Sequence, residues 1–250
     1  MTVVAEAFTF AAGVEQTSAR IYHAQAHARG GGARAVLVLA HGAGAPQTHP
    51  WMVRMADALA SRAIDVVTFN FLYAEARRRV PDKNDVLEAT WRAAIGAVRA
   101  RGDVAHAGGR LFIGGKSMGG RIATQVAATA DSGGSAAGST TNGGGSGAGL
   151  GPIAGLVLLG YPLHPPGRPD KLRTAHLPAV QPPMLFVQGS RDTFGSPAEL
   201  EPFVAPLAPR GTRIFPVDGG DHSLVVPKSQ GLDAAAITAR VADAIAAFVG

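Results

Sequence analysis

The sequence predicts an α/β fold, a mostly parallel central sheet with helices on both faces, and three observations predict it. Apolar runs of strand length alternate along the chain with segments of helical periodicity. The central runs, such as Val36-Leu37-Val38-Leu39-Ala40, are apolar on both faces, which suits a sheet buried on both sides. With 46% hydrophobic and 16% charged residues, the chain also has enough apolar surface for a large core. At 250 residues, a single domain over 1–250 fits better than two.

In order, Phe8-Thr9-Phe10 and Ala19-Arg20-Ile21-Tyr22 read as short edge strands, and Val36 to Ala40 as the first buried strand. Met52, Met55, Ala56 and Leu59 share one helical face, and Pro50 suits that helix's first turn. Ile64 to Phe69 returns as a strand. Leu87, Trp91, Ala94, Ile95 and Val98 mark a second amphipathic helix. The strand Leu111 to Ile113 precedes a helix through Ile122 and Val126, and further strands are expected at Ile153 to Leu159, Met184 to Gln188 and Ile214 to Val217. Ile237, Val241, Ala244, Ile245 and Phe248 give the last helix its apolar stripe.

Two stretches break the pattern. Residues 131–151 are almost wholly Gly, Ser, Ala and Thr, too poor in large apolar groups to offset their ordering entropy, and are expected to form a flexible insertion. Residues 161–183 are rich in proline and turn residues between two strands, where a cap loop over a cleft would fit.

Composition excludes several classes. With no cysteine there is no disulfide framework, thiol nucleophile or thiolate metal site. The histidines lack metal-ligand spacing, so no metal or other cofactor is expected. The net charge is +5, but the basic residues are dispersed apart from Arg77-Arg78-Arg79, which reads as a solvated face; neither a nucleic-acid nor a membrane partner is expected. The opening residues lack the basic and apolar regions of a secretory signal, and no apolar run could span a bilayer, so the expected location is cytoplasmic.

The most informative stretch is Gly114-Gly115-Lys116-Ser117-Met118-Gly119-Gly120, a G-x-S-x-G spacing with a strand before it and a helix after it. A serine on that sharp turn is exposed in a cleft, but its hydroxyl needs a base, and the base needs an orienting partner. Asp192 follows the strand Met184 to Gln188, and His222 lies in the glycine-rich turn after Ile214 to Val217, so the chain order is Ser, Asp, His. For the oxyanion of acyl attack, the N–H of Met118 and that of Ala43, in His41-Gly42-Ala43-Gly44, are the candidate donors. His41 is read as a structural residue of that turn, and Asp221 as a turn residue. Trp51 and Tyr73 either pack or line a substrate pocket; Lys116 either pairs with a carboxylate beneath the turn or favours an anionic substrate.

From about Val36 onward the chain resembles an α/β-hydrolase. It looks most similar to the branch related to testis-expressed protein thirty and to subunit three of the NSL chromatin complex. The likeness rests on His41-Gly42-Ala43-Gly44 with His49-Pro50-Trp51-Met52, on Gly115-Lys116-Ser117-Met118-Gly119-Gly120-Arg121, and on the segments around Asp192 and His222. The resemblance implies a hydrolase fold with a triad at Ser117, Asp192 and His222. The function expected is a monomeric or weakly associating serine hydrolase that cleaves small-molecule carboxylic esters through an acyl-enzyme, and the alternative is a noncatalytic interaction protein on the same scaffold. A dienelactone-hydrolase-like enzyme would carry a cysteine nucleophile, and this chain has none.

Overall fold

The computed structural model describes residues 5–25, 33, 35–103, 110–130, 150–227, 229, 231 and 233–250. Eight strands form one sheet: β1 (Glu6–Ala12), β2 (Glu15–Tyr22), β3 (Ala35–Ala40), β4 (Ile64–Phe69), β5 (Leu111–Lys116), β6 (Gly155–Leu159), β7 (Met184–Gly189) and β8 (Arg213–Val217). Their order is β1-β2-β4-β3-β5-β6-β7-β8. β1 and β2 form an antiparallel edge, and the six strands from β4 to β8 run parallel.

Among the described residues, six α-helices connect or flank them: α1 (Pro50–Ala60), α2 (Leu72–Glu75), α3 (Asn84–Ala100), α4 (Met118–Ala128), α5 (Pro197–Val204) and α6 (Ala234–Val249). Alternation along β3 divides the core in two. Val36, Val38 and Ala40 join Trp91, Ile95, Ile122 and Val126 of α3 and α4 on one face; Leu37 and Leu39 meet Met52, Met55 and Leu59 of α1, with Ile237, Val241 and Ile245 of α6, on the other. Every residue of β3, β4, β6 and β7 is buried, which is why β3 and β6 are apolar throughout; β4 also buries Asp65 and Thr68, and β7 buries Gln188.

Two helices escape the periodicity reading because both are short. α2 has four residues, and α5 is interrupted by Pro202, although Ser196 and Glu199 form a reciprocal capping box at its start. β6 begins at Gly155 rather than Ile153. Of the expected insertion, only Leu150 and Gly151 fall within the described residues.

Residues 161–183 carry a single 3₁₀ turn, Leu177–Ala179. Tyr161, Leu163, Leu177 and Val180 are buried in the α3/α4 layer of the core, the Tyr161 hydroxyl donates to the Arg173 carbonyl at 2.7 Å, and His176 bonds Thr124 of α4 at 2.7 Å. Despite its irregular backbone, the segment is tied to the body of the sheet.

Candidate active site

Because β5, β7 and β8 run parallel, the loops after Lys116, Gly189 and Val217 leave the sheet at the same edge. Ser117 fills the turn between β5 and α4 with φ 49° and ψ −116°, a region costly for any residue with a side chain. Its glycine neighbours leave the turn the room it requires. A Cβ on Gly115 would stand 2.6 Å from the Ala40 carbonyl oxygen, and one on Gly119 2.6 Å from the oxygens of both Ala40 and His41. Trp91 of α3 fixes the same turn by donating its indole N–H to the Gly119 carbonyl at 3.1 Å.

The structure brings Ser117, His222 and Asp192 into one hydrogen-bonded line. Ser117 Oγ lies 2.8 Å from His222 Nε2, and His222 Nδ1 lies 2.8 and 3.0 Å from the two Asp192 oxygens. The ionised carboxylate can only accept, so Nδ1 carries the ring proton and Nε2 is left to accept from the serine hydroxyl. The Asp192 side chain is wholly buried, and the His222 side chain keeps 21% of its surface exposed. Asp192 also accepts from the Phe194 N–H at 2.8 Å, so its Asx turn and its contact with the imidazole coexist.

Two supporting residues were not singled out in the sequence. Gln188, at the end of otherwise apolar β7, donates to Asp192 Oδ2 at 2.8 Å and to the Gly195 carbonyl at 2.6 Å while accepting from the Tyr161 N–H at 2.8 Å. Its signal was a lone amide after Met184-Leu185-Phe186-Val187. The Phe194 ring stacks on the His222 imidazole, with centroids 4.1 Å apart and planes at 27°. No spacing rule marks that phenylalanine.

Lys116 does not pair with a carboxylate, contrary to one sequence expectation; among the described residues it forms no ion pair. Its Nζ donates to the His222 carbonyl at 2.5 Å and lies 5.7 Å from the centroid of the Trp51 ring. Burial pushes its pKa down to about 8, against the opposing pull of Asp192 and Asp221. Trp51 donates its indole N–H to the Ser223 carbonyl at 3.0 Å, so it supports the His222 loop and also lines a groove with Met55, Leu224 and Ile237. Asp221 takes its turn role by accepting from the Ser223 and Val225 N–H groups at 2.7 and 3.0 Å.

Gly42 brings the turn after β3 against Ser117: a Cβ there would lie 3.5 Å from the serine Cβ. Ala43 follows and is exposed, and Met118 is the first residue of α4, whose N–H has no acceptor within its own helix. His41 is buried; its Nε2 accepts from the Phe71 N–H at 3.1 Å, so Nδ1 bears the proton and donates to the Gly42 carbonyl at 2.8 Å. Burial pushes its pKa down to about 4, keeping it neutral. Tyr73 corrects the pocket-lining expectation. It is only 1% exposed, with its ring edge-on to His41 and its hydroxyl facing the Gly42 carbonyl at 3.5 Å, and burial pushes its pKa up to about 12. It buttresses the turn from beneath instead of meeting the cleft.

Other histidines have local partners: His49 caps α1 by accepting from the Trp51 N–H at 3.2 Å, and His164 reaches Glu199 at 3.3 Å. Among the described residues, Glu6, His23 and Asp103 bring three possible metal ligands together, but Arg101 already bonds both carboxylates at 2.7 and 2.5 Å. No described helix is long and apolar enough to cross a membrane.

Residues 33–250 match a family model described as alpha/beta hydrolase domain. Among solved structures, the fold is similar to a dienelactone hydrolase from Anabaena variabilis, with a TM-score of 0.66 at 17% identity over 99% of this chain and 97% of that one. It is also similar to XC6422 from Xanthomonas campestris, described as a serine hydrolase without a lid (TM-score 0.60, 20% identity, 88% and 86% covered), and to Est1E from Butyrivibrio proteoclasticus (TM-score 0.66, 10% identity, 97% and 98% covered). At these identities the likeness is one of fold. The dienelactone hydrolase likeness therefore says nothing of the nucleophile, and this chain carries serine at its turn and no cysteine.

Proposed function

The chain belongs to the α/β hydrolase domain family, and from that premise we propose that it is a serine hydrolase cleaving small-molecule carboxylic esters through an acyl-enzyme on Ser117. One observation carries the reading: the Ser117 hydroxyl, the His222 imidazole and the Asp192 carboxylate stand in line at 2.8 Å spacings on a strained strand-to-helix turn. A side-chain-bearing residue held at φ 49° favours a chemical role.

Ser117 Oγ attacks the ester carbonyl carbon as His222 Nε2 takes its proton, and Asp192 stabilises the resulting imidazolium. The carbonyl electron pair moves onto oxygen, where the N–H groups of Ala43 and Met118 receive it. Collapse expels the alkoxide, which leaves as alcohol with the proton from His222. Water then repeats the sequence on the acyl-enzyme, releasing the carboxylic acid and restoring Ser117. The scheme calls on no cofactor, and assigns residues 161–183 to the cap beside the cleft.

The finer likeness, to the branch of testis-expressed protein thirty and NSL complex subunit three, is part of the proposal and rests on His41 to Gly44 with His49 to Met52, on Gly115 to Arg121 with Lys116 its most distinctive residue, and on the segments around Asp192 and His222. So is a cytoplasmic location, in keeping with the lack of a membrane-crossing helix among the described residues. The test of the chemistry is labelling with a fluorophosphonate probe. An adduct mapped to Ser117, absent from Ser117→Ala and His222→Ala, is the expected result; a folded native chain that takes no label would overturn the reading and favour a binding role.

A further inference from the structure

The turn after β3 has little with which to hold its own shape. Gly42-Ala43-Gly44-Ala45 carries no side chain larger than a methyl, and Gly44 sits at φ 81°, so the stretch loses much backbone entropy on ordering and gains little packing in return. Its shape is imposed from the neighbouring strand. β3 and β4 run parallel with Ala40 beside Phe69, so the residues that follow β4 leave the sheet next to the turn. Two successive residues there grip the turn at both ends: the Phe71 N–H donates to His41 Nε2 at 3.1 Å, and Asn70 Oδ1 accepts from the Gln47 N–H at 2.9 Å. Ala43 lies between these two grips.

The Asn70 amide is itself aimed. The Gln47 N–H can only donate and the Glu75 carboxylate can only accept, so Oδ1 faces the turn and Nδ2 donates to Glu75 Oε2 at 2.8 Å. The same carboxylate oxygen accepts from the Ser18 hydroxyl at 2.6 Å. Burial opposes the charge of Glu75, but the bonds from Ser18 and Asn70 outweigh it and hold its pKa below the usual carboxylate range. Gln47 is fixed from its other side as well, with Nε2 donating to the Ser18 carbonyl at 2.9 Å and Oε1 accepting from the Thr68 hydroxyl at 3.0 Å. Gln47, Thr68 and Asn70 are all buried. Apolar side chains would bury there at less cost, whereas a fully paired polar network specifies a single arrangement.

We propose that Asn70 is a positioning residue of the candidate active site: its amide, held by Glu75, fixes Gln47 and thereby sets the Ala43 N–H where the oxyanion forms. This rests on the hydrolase reading above. Among the described residues, none of Gln47, Asn70 and Glu75 bonds Ser117, His222 or Asp192, so losing the Asn70 amide spares proton transfer and weakens the hold on the transition-state charge.

The experiment uses Asn70→Leu, which keeps the bulk and removes the acceptor for Gln47. On 4-nitrophenyl butyrate, kcat is expected to fall ~10–100-fold with KM within about twofold, as for an oxyanion donor displaced rather than deleted. A trifluoromethyl ketone of matching chain length, which forms a tetrahedral adduct bearing the oxyanion, should inhibit more weakly by a similar factor. A role in the fold alone would leave both readings unmoved in the folded variant. Glu75→Gln, at the exposed end of the network, is measured alongside in case Asn70→Leu does not fold, and should lower kcat and inhibitor affinity ~3-fold or more. Amide hydrogen exchange over 41–48 should quicken in Asn70→Leu while α4 stays protected. Unchanged kcat and inhibition in an active, folded variant overturn the proposal, whatever the exchange shows. In a chain that neither turns over esters nor takes the fluorophosphonate, faster exchange over 41–48 sustains the grip on the turn and removes the hydrolase reading, and unchanged exchange overturns both.

Discussion

The ammonium of Lys116 donates to the backbone carbonyl of His222 at 2.5 Å, so the residue before the candidate nucleophile grips the loop that carries the candidate base. The neighbouring Ser223 carbonyl is held by Trp51, over whose ring the ammonium sits. Two successive carbonyls are thereby fixed from β5 and α1, and the height of the imidazole over Ser117 follows from them.

Lys116→Met keeps the aliphatic stem and removes the donor. Small misplacements of a catalytic group are expensive, so kcat should fall ~10–100-fold with KM within about twofold of the native value. The pH profile separates this from general loosening. Asp192 and Asp221 pull on the ammonium, but burial pushes its pKa down to about 8, so its charge and its grip decline above that pH. The native chain should show an alkaline limb near pH 8 that Lys116→Met lacks. Its stability should move the other way: with the ordinary value at 10.5, the unfolded chain binds more protons between about 8 and 10.5, and the Lys116 contribution to stability rises across that window. A kcat unchanged by the substitution would sink the positioning role.

His41 sets a second dependence, on the acid side. Burial lowers its pKa from 6.5 to about 4, so the unfolded chain gains a proton as pH falls through 6.5 while the folded chain stays neutral. Stability should decline by ~3 kcal/mol from this group between pH 6.5 and 4, and no further below. Thermal melts of the native chain and of His41→Gln check it: the variant should show a shallower slope over that interval, whatever its absolute stability. Equal slopes would mean that the histidine is not held neutral.

The strain at Ser117 gives a third test. At φ 49° only glycine is comfortable, so Ser117→Gly should stabilise the fold by ~1 kcal/mol after its greater backbone entropy is set against the strain relieved, while Ser117→Ala keeps the strain. Chemical denaturation should place Ser117→Gly at the higher midpoint of the two. Both variants should be inactive on esters, so the stability order is read independently of catalysis.

How much of this was legible in the sequence depends on what each residue's position encodes. β3 and β7 announced themselves because both faces are buried, and Ser117 because a strand, a helix and two glycines frame it. Asp192 and His222 were legible from their places after strand ends. α5 was not, although Ser196 and Glu199 spell a capping box, because Pro202 masks its periodicity. Tyr73 could be read either as packing or as lining a pocket, because its place in the sequence does not specify which way the side chain turns; it packs edge-on to His41. The Lys116 contact spans 106 positions in the chain, and pairs of that separation leave no local pattern.

Gln188 lies at the limit of what local pattern reveals, and its removal makes the fourth prediction. Its amide bonds Asp192, Gly195 and Tyr161, joining the ends of β6 and β7 to the carboxylate that orients His222. Gln188→Met conserves volume but leaves the Tyr161 N–H and the Gly195 carbonyl without this partner in a buried setting, which should destabilise the fold by ~2–4 kcal/mol. Asp192 retains the imidazole and the Phe194 N–H, so the line to Ser117 persists in looser form. Fluorophosphonate labelling should therefore slow by ~10-fold without vanishing, in contrast to His222→Ala. Labelling at the native rate in a destabilised variant would show that Gln188 serves the fold alone, and that Phe194 and the imidazole suffice to aim the carboxylate.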